Sequence, residues 1–256
     1  MYKELFDLSG RVAVVTGGGR NIGLATAMAL AEHGAKVVIA EIDPKVGEEG
    51  LAALQAKGYE AELHQLDVTD SRAVTACADA VVKKYGRVDI AVANAGIALS
   101  APGEEMPDEQ WHKVVDINLN GVFYTNRAFG KHMLDAGKGS IINIGSMSGI
   151  ISNYPQEQVH YNAAKAGVHH LTKSLAGEWA KRGVRVNAVA PTYIETAMTK
   201  PGMEKADWYK IWMDMTPMGR VGQPPEIAAC VLFLATDAAS LVTGHVLVAD
   251  AGYTIW

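Results

Sequence analysis

Tyr161 and Lys165 stand four residues apart in the run Tyr161-Asn162-Ala163-Ala164-Lys165. On a helix that spacing puts both side chains on one face, one turn apart. A free phenol has a pKa of roughly 10. An ammonium beside it favours the phenolate, so the pair can give and take a proton near neutral pH. Such a pair also occurs by chance on many helices, and its company is what gives it meaning. Ile141-Ile142-Asn143-Ile144-Gly145-Ser146 reads as a buried strand ending in Gly-Ser. A serine at the C-terminal end of a parallel strand lies on the side of the sheet where ligands bind. Asn118 falls in mid-helix sequence, where asparagine gains nothing by propensity. Asn94-Ala95-Gly96 closes another apolar run.

A second constellation opens the chain. Thr16-Gly17-Gly18-Gly19-Arg20-Asn21-Ile22-Gly23 follows a β-branched run and leads directly into an Ala-rich helical one. Glycine lets the backbone turn tightly and approach a pyrophosphate, and the helix N-terminus offers free N–H groups at the positive end of its dipole. The strand–loop–helix setting favours a dinucleotide site over an ordinary turn. The next run ends in Glu41, 24 residues past Gly17. That is near the spacing of the acid that accepts hydrogen bonds from the adenosine ribose. A carboxylate there repels a 2′-phosphate and favours NAD. Arg20 points toward NADP, because a guanidinium in the loop could pair with that phosphate.

The elements that must position these groups follow from alternation. Apolar runs predict strands over Val12–Thr16, Lys36–Glu41, Glu60–Leu66, Val88–Ala93, Ser140–Ile144, Arg185–Ala190 and Val246–Ala249. Longer segments predict helices over Ile22–Glu32, Pro44 to about Lys57, Asp70–Tyr85, Asp108 to about Leu134, Gln158–Lys181 and Pro225–Ala235. Repeated strand–helix–strand units imply an α/β fold with parallel strands and right-handed crossovers. One segment, about 191–224, breaks the rhythm with Pro191, Pro201, Pro217 and Pro224 among tryptophans and methionines. Because it follows a strand's C-terminal end, it is expected to form a substrate lid rather than a surface excursion with its own small core.

Composition excludes several classes. The net charge of −5 leaves no electrostatic footprint for nucleic acid or anionic membrane. At 256 residues, one domain spanning 1–256 is expected. Cys77 and Cys230 are far apart and form no zinc-type pair, which points to a reducing compartment. The N-terminus carries acids and lacks an apolar stretch, so no signal peptide is expected and the chain is read as cytoplasmic. His169 and His170 are neighbours on a helix and cannot share a metal as an i, i+4 pair could. They read as packing residues. No G-x-S-x-G elbow supports a hydrolase.

Taken together, these motifs resemble the short-chain dehydrogenase/reductase family over nearly the whole chain. They are the Gly-rich loop, Asp67 after the third strand, Asn94-Ala95-Gly96, Asn118, Ser146, Tyr161 and Lys165, in the family's order and spacing. The resemblance implies a single-domain Rossmann fold with a seven-stranded parallel sheet, and hydride transfer between an alcohol or carbonyl carbon and a nicotinamide. It casts Tyr161 as acid/base, Lys165 as the group that lowers its pKa and holds the nicotinamide ribose, and Ser146 as a hydrogen-bond partner of the substrate oxygen. Asn118 would hold a water in a proton relay. The cofactor would meet Gly17, Gly19, Arg20, Asn21, Ile22, Gly23 and Glu41. It would also meet Asp67 and Val68 at the adenine, Asn94 and Gly96, and Pro191, Ile194 and Thr196 beside the nicotinamide. Three positions depart from the pattern. Asn21 replaces a loop glycine but tolerates positive φ, Thr192 replaces the glycine after Pro191, and Glu41 stands where Asp is commoner. The resemblance further implies a homotetramer, and, as in some relatives, a divalent ion at the C-terminal carboxylate of Trp256.

The segment Ser146–His160 is polar, with Ser148, Ser152, Asn153, Gln156, Glu157 and His160. Polar pocket groups need partners, which a polyhydroxylated substrate supplies. Ser146, Ser148, Asn153 and Tyr161 are therefore the expected substrate-binding residues. Together with a likeness of Gly145–Gly149, Asp214–Arg220 and the C-terminal seven residues to the polyol branch of the family, this gives an NAD-dependent polyol dehydrogenase. The competing readings are an NADP-dependent ketoreductase of ketones, keto-esters or acyl-carrier substrates, and a dinucleotide-sensing protein without turnover. A full set of acid/base residues argues against the last, because a binder needs none.

Overall fold

The structure is a computed structural model describing residues 1–256. The β-branched runs form β1 (Val12–Thr16), β2 (Lys36–Glu41), β3 (Ala61–Gln65), β4 (Ile90–Ala93), β5 (Gly139–Ile144), β6 (Val184–Pro191) and β7 (Val246–Ala249). Every pairing is parallel, in the order β3-β2-β1-β4-β5-β6-β7. The order reverses between β1 and β4, and the crevice beyond their C-terminal ends is where such sheets bind ligands. The predicted strands match, with ends shifted by at most two residues.

The helices are α1 (Asn21–Glu32), α2 (Pro44–Gln55), α3 (Ser71–Tyr85), α4 (Asp108–Val115), α5 (Gly121–Ala136), α6 (Val159–Trp179), α7 (Lys200–Met203), α8 (Ala206–Met215) and α9 (Pro224–Ala235). Starts are fixed by local chemistry. Asp43 accepts from the Lys45 and Val46 N–H groups at 3.0 and 3.3 Å, with Pro44 as first helical residue. Asp70 caps α3 in the same way.

The period of two along each strand divides the core between the sheet's faces. Ala13, Val15, Val37 and Ile39 point to one face, against Leu30 of α1 and Ile227 and Val231 of α9. Val12, Val14, Val38 and Ala40 point to the other, against Val81 of α3, Phe129 of α5 and Leu175 of α6. Two buried faces explain why the strands read as continuous rather than alternating apolar runs.

Two expectations are revised. The single helix expected over Asp108–Leu134 is α4 and α5 joined by a π-helical turn, Asp116–Asn120. Its wider turn contains Asn118, and such turns are common at functional sites. The segment 191–224, expected as a lid, has the small core of the alternative reading, shared with Met147 and Tyr253 from outside it. It contains α7 and α8, an isolated bridge between Ile194 and Gly222, and a small core of Met147, Tyr193, Trp212, Val221 and Tyr253. No helix is long and apolar enough to cross a membrane.

Candidate active site

The Gly-rich loop is shaped by close approach. Gly17 has φ +62°, and a Cβ at Gly23 would lie 2.0 Å from the Gly17 carbonyl oxygen. Only a bare backbone lets the first turn of α1 close on the loop. Asn94 at the end of β4 staples it, its side-chain amide donating to the carbonyls of Thr16 and Gly17 at 2.9 and 3.0 Å. Asn21 sits at φ +51°, taking the left-handed conformation expected of a residue replacing glycine. No side chain caps α1, so its first N–H groups remain available to an anion.

Glu41 ends β2 against this loop and is buried. One carboxylate oxygen accepts from the Gly19 N–H at 3.4 Å, and the other from the Ile42 N–H at 3.0 Å. Arg20 is exposed and forms no ion pair. Asp67 is exposed and folds back on Thr69, whereas Val68 is buried beneath Gly121. Gly96 lies against the Asn118 side-chain oxygen. Pro191 ends β6. The Ile194 side chain packs into the core, so a cofactor contact there would run through its backbone. The Thr196 N–H is held by the Thr199 hydroxyl at 3.1 Å. These residues fit a nicotinamide dinucleotide: a loop opened by three glycines, an uncapped helix N-terminus and a buried carboxylate at the end of β2.

Three of the residues expected to transfer protons, Ser146, Tyr161 and Lys165, lie together at the end of β5. The Lys165 ammonium is buried, donates to the Ile144 carbonyl at 2.7 Å and lies 5.6 Å from the Tyr161 ring centroid. Ser146 accepts the Ser148 N–H at 3.1 Å while its hydroxyl donates to that of Ser148 at 3.0 Å. Asn118 is fully buried and donates to the Ile97 and Val114 carbonyls, both at 2.9 Å. Its side-chain oxygen has no partner, and a water there would satisfy it.

Burial raises the Tyr161 phenol above its ordinary value, opposed by a hydrogen bond with Ser146. The lowering expected from Lys165 is not found in the free protein, where burial is the largest influence on the phenol. Burial also brings Lys165 from 10.5 down to about 8. Each charged form alone is disfavoured, but a phenolate and an ammonium together carry no net charge, so each stabilises the other.

The buried ammonium has a consequence for stability. Between about pH 8 and 10.5 the unfolded chain holds a proton on Lys165 that the folded chain has shed, so stability rises with pH across this window. Lys165→Met is expected to stabilise the cofactor-free protein at pH 7 by about 2 kcal/mol while abolishing turnover. Thermal unfolding of both forms at pH 7 and pH 9 tests it. The stability gap should narrow at the higher pH.

On the substrate side, Ser148 and Asn153 line a cavity of about 590 Å³ with the 149–159 segment and Asn162 of α6, but Ser146 and Tyr161 are not among its walls. Asn153 donates to the Tyr193 hydroxyl at 3.3 Å and accepts from Gln158 at 3.0 Å. Gln156 donates to the same hydroxyl at 2.8 Å and accepts from the Trp212 indole at 3.2 Å, and Trp212 stacks on Tyr193 with centroids 3.8 Å apart. Gln156 is thus committed to holding the 191–224 segment against the loop after β5. Asn153 keeps one N–H and one lone pair for another partner. No three His, Cys, Asp or Glu side chains are grouped to hold a metal ion, and Trp256 is exposed.

The Asn126–Asn143 pair has no signal in the sequence, and His169, which reads there as a packing residue, has polar contacts at the site. Asn126 and Asn143 exchange hydrogen bonds at 2.7 and 3.2 Å, and Asn143 also donates to Thr172 at 3.0 Å, which ties α5, β5 and α6 together beneath the site. His169 lies one turn beyond Lys165 on the same face of α6. The i, i+4, i+8 spacing of Tyr161, Lys165 and His169 is the signal that could have found it.

This fold and this site define a class. The family model described as Enoyl-(Acyl carrier protein) reductase matches residues 17–254. A short-chain type dehydrogenase/reductase from Mycobacterium marinum superposes with a TM-score of 0.94 at 40% identity, covering 98% of each chain. The chain belongs to the short-chain dehydrogenase/reductase family, NAD(P)-linked enzymes that interconvert alcohols and carbonyls. Among its relatives, Galactitol 2-dehydrogenase of Rhizobium johnstonii is 49% identical over 100% of this chain and 99% of its own length. D-threitol dehydrogenase of Mycolicibacterium smegmatis is 41% identical, over 98% and 95%. A gluconate 5-dehydrogenase from Burkholderia cenocepacia, solved with NADP and tartrate, has a TM-score of 0.95 at 34% identity with full coverage of both chains.

Proposed function

We propose that the enzyme oxidises a secondary hydroxyl of a polyol to the corresponding ketose with NAD, Tyr161 acting as the acid/base. The observation that carries this reading is the convergence of Ser146, Tyr161 and Lys165 at the end of β5, one strand away from the Asn94-stapled loop. The full-length likeness to galactitol and threitol dehydrogenases supports a polyol as substrate. Buried Glu41 supports NAD.

When bound, the nicotinamide supplies the hydride acceptor. The rest belongs to the chain. Ser146 holds the substrate oxygen by hydrogen bond. The Tyr161 phenolate takes the hydroxyl proton as the carbonyl forms. The Lys165 ammonium stabilises that phenolate and would hold the nicotinamide ribose. Asn118 orders a water that passes the proton toward solvent. Ser148 and the free half of the Asn153 amide bind further hydroxyls, and the 191–224 segment closes over them as a lid.

Initial rates of nicotinamide reduction with hexitols, tetritols, short diols and simple secondary alcohols test the substrate class. A hexitol or tetritol should exceed every apolar alcohol, and the reverse order overturns the reading. Exposed Val248 on edge strand β7, with exposed Ile255 and Trp256, supports burial of this end between copies. Light scattering is expected to give four chains, and a monomer would contradict a homotetramer.

The competing reading, an NADP-linked ketoreductase, draws on exposed, unpaired Arg20 beside the ribose position and on the NADP-bound relative.

A further inference from the structure

His169 is a buried titratable side chain that the proposed mechanism does not use. It completes a stripe on α6. Tyr161 lies beside Ser146, Lys165 donates to the Ile144 carbonyl, and His169 Nε2 lies 3.4 Å from the Ser146 backbone nitrogen and accepts its N–H. Three residues one turn apart thus meet the strand end that carries Ser146.

The backbone is fitted to the ring. A Cβ at Gly145 would lie 2.4 Å from His169 Nε2, and one at Gly149 would lie 2.7 Å from its Cε1. The residue before Ser146 and the last residue of the short turn after it both lack a side chain where the imidazole sits. That short turn, Met147–Gly149, is itself capped by the Ser146 side chain. The ring is neutral: burial, with the Lys165 and Lys173 ammoniums nearby, brings it down to about 4. A neutral ring leaves Nε2 free to accept when Nδ1 carries the proton.

We propose that His169 is a positioning residue, whose Nε2 fixes the Ser146 backbone and so aims the Ser146 hydroxyl at the reacting oxygen. The inference rests on the reading of Ser146, Tyr161 and Lys165 as the reacting centre. A hydroxyl displaced by about 1 Å can lose two orders of magnitude in rate.

The test compares His169→Met with His169→Gln, which are similar in length and differ in the acceptor, each assayed on the full chain with NAD and the best polyol. His169→Met should lower kcat by about 10- to 100-fold with KM for NAD within about twofold of wild type. His169→Gln should restore kcat to within about threefold. Unchanged kcat in the Met variant overturns the proposal, as does a loss that Gln fails to restore. Should the Met variant not fold, nitrogen NMR of the wild-type imidazoles decides. A His169 ring protonated on Nδ1 supports the proposal, and one protonated on Nε2 overturns it. Tyr161→Phe in the same assay separates the two levels. If it is inactive while His169→Met is fully active, only this inference fails. If both are fully active, the underlying reading fails.

Discussion

Tyr161→Phe is expected to lower turnover about a thousandfold, while affinity for the dinucleotide stays within about twofold of wild type. The phenol is the one group in the cleft proposed to exchange a proton with the substrate, and positioned acid/base groups contribute roughly 10²–10⁴ in rate. Phenylalanine keeps the ring, so packing beside Lys165 is retained. The hydroxyl's burial already raises its pKa in the free protein, so the phenol is neutral there and removing it takes no counter-charge away from Lys165. Steady-state rates and fluorescence titration of the reduced cofactor check the two halves separately. A fully active Tyr161→Phe would remove Tyr161 from the mechanism. Loss of cofactor affinity in proportion to rate would make it a binding residue.

The second large effect concerns Glu41. Its carboxylate is buried beside Gly19 and accepts backbone N–H groups on both oxygens, so its orientation is fixed before any cofactor arrives. A fixed carboxylate accepts from a ribose diol and repels a 2′-phosphate, and like charges held together cost several kcal/mol. Glu41→Ser removes the charge and keeps one acceptor. The ratio of kcat/KM for NAD over NADP is expected to fall by about 100-fold or more, because hydrogen bonds to a charged group contribute about 1.5–3 kcal/mol each and the repulsion is lifted as well. Exposed Arg20 is then available to the phosphate. A ratio unchanged by the substitution would mean that Glu41 does not contact the ribose.

The strands were legible because burial on both faces leaves unbroken β-branched runs, as in Val12–Thr16 and Lys36–Glu41. Asn21 was legible for a conformational reason: where glycine is usual, a residue tolerant of positive φ must stand, and its φ is +51°. The π-helical turn around Asn118 was not. One extra residue in a turn leaves the apolar period of the flanking helices nearly intact, so α4 and α5 read as one helix. Helices α7 and α8 were hidden by prolines at their borders, since Pro201 falls in the first turn of a four-residue helix, where proline is tolerated. Polar residues after β5 could be recognised as pocket-forming, but not which partners they take. Gln156 bonds to Tyr193 and Trp212, 37 and 56 residues away, and no local pattern encodes such pairings. The same holds for the Tyr161 pKa, since Lys165 is visible in sequence and the depth of burial is not.

The most direct measurement uses the wild-type chain, NAD and a hexitol deuterated at its secondary carbinol carbons, with mass spectrometry of the reduced nicotinamide. Deuterium carried into the nicotinamide, together with a ketose product, is the predicted result. Reduced cofactor without the label, or no reduction with NAD while NADP supports it, would contradict NAD-linked hydride transfer from a polyol's secondary hydroxyl.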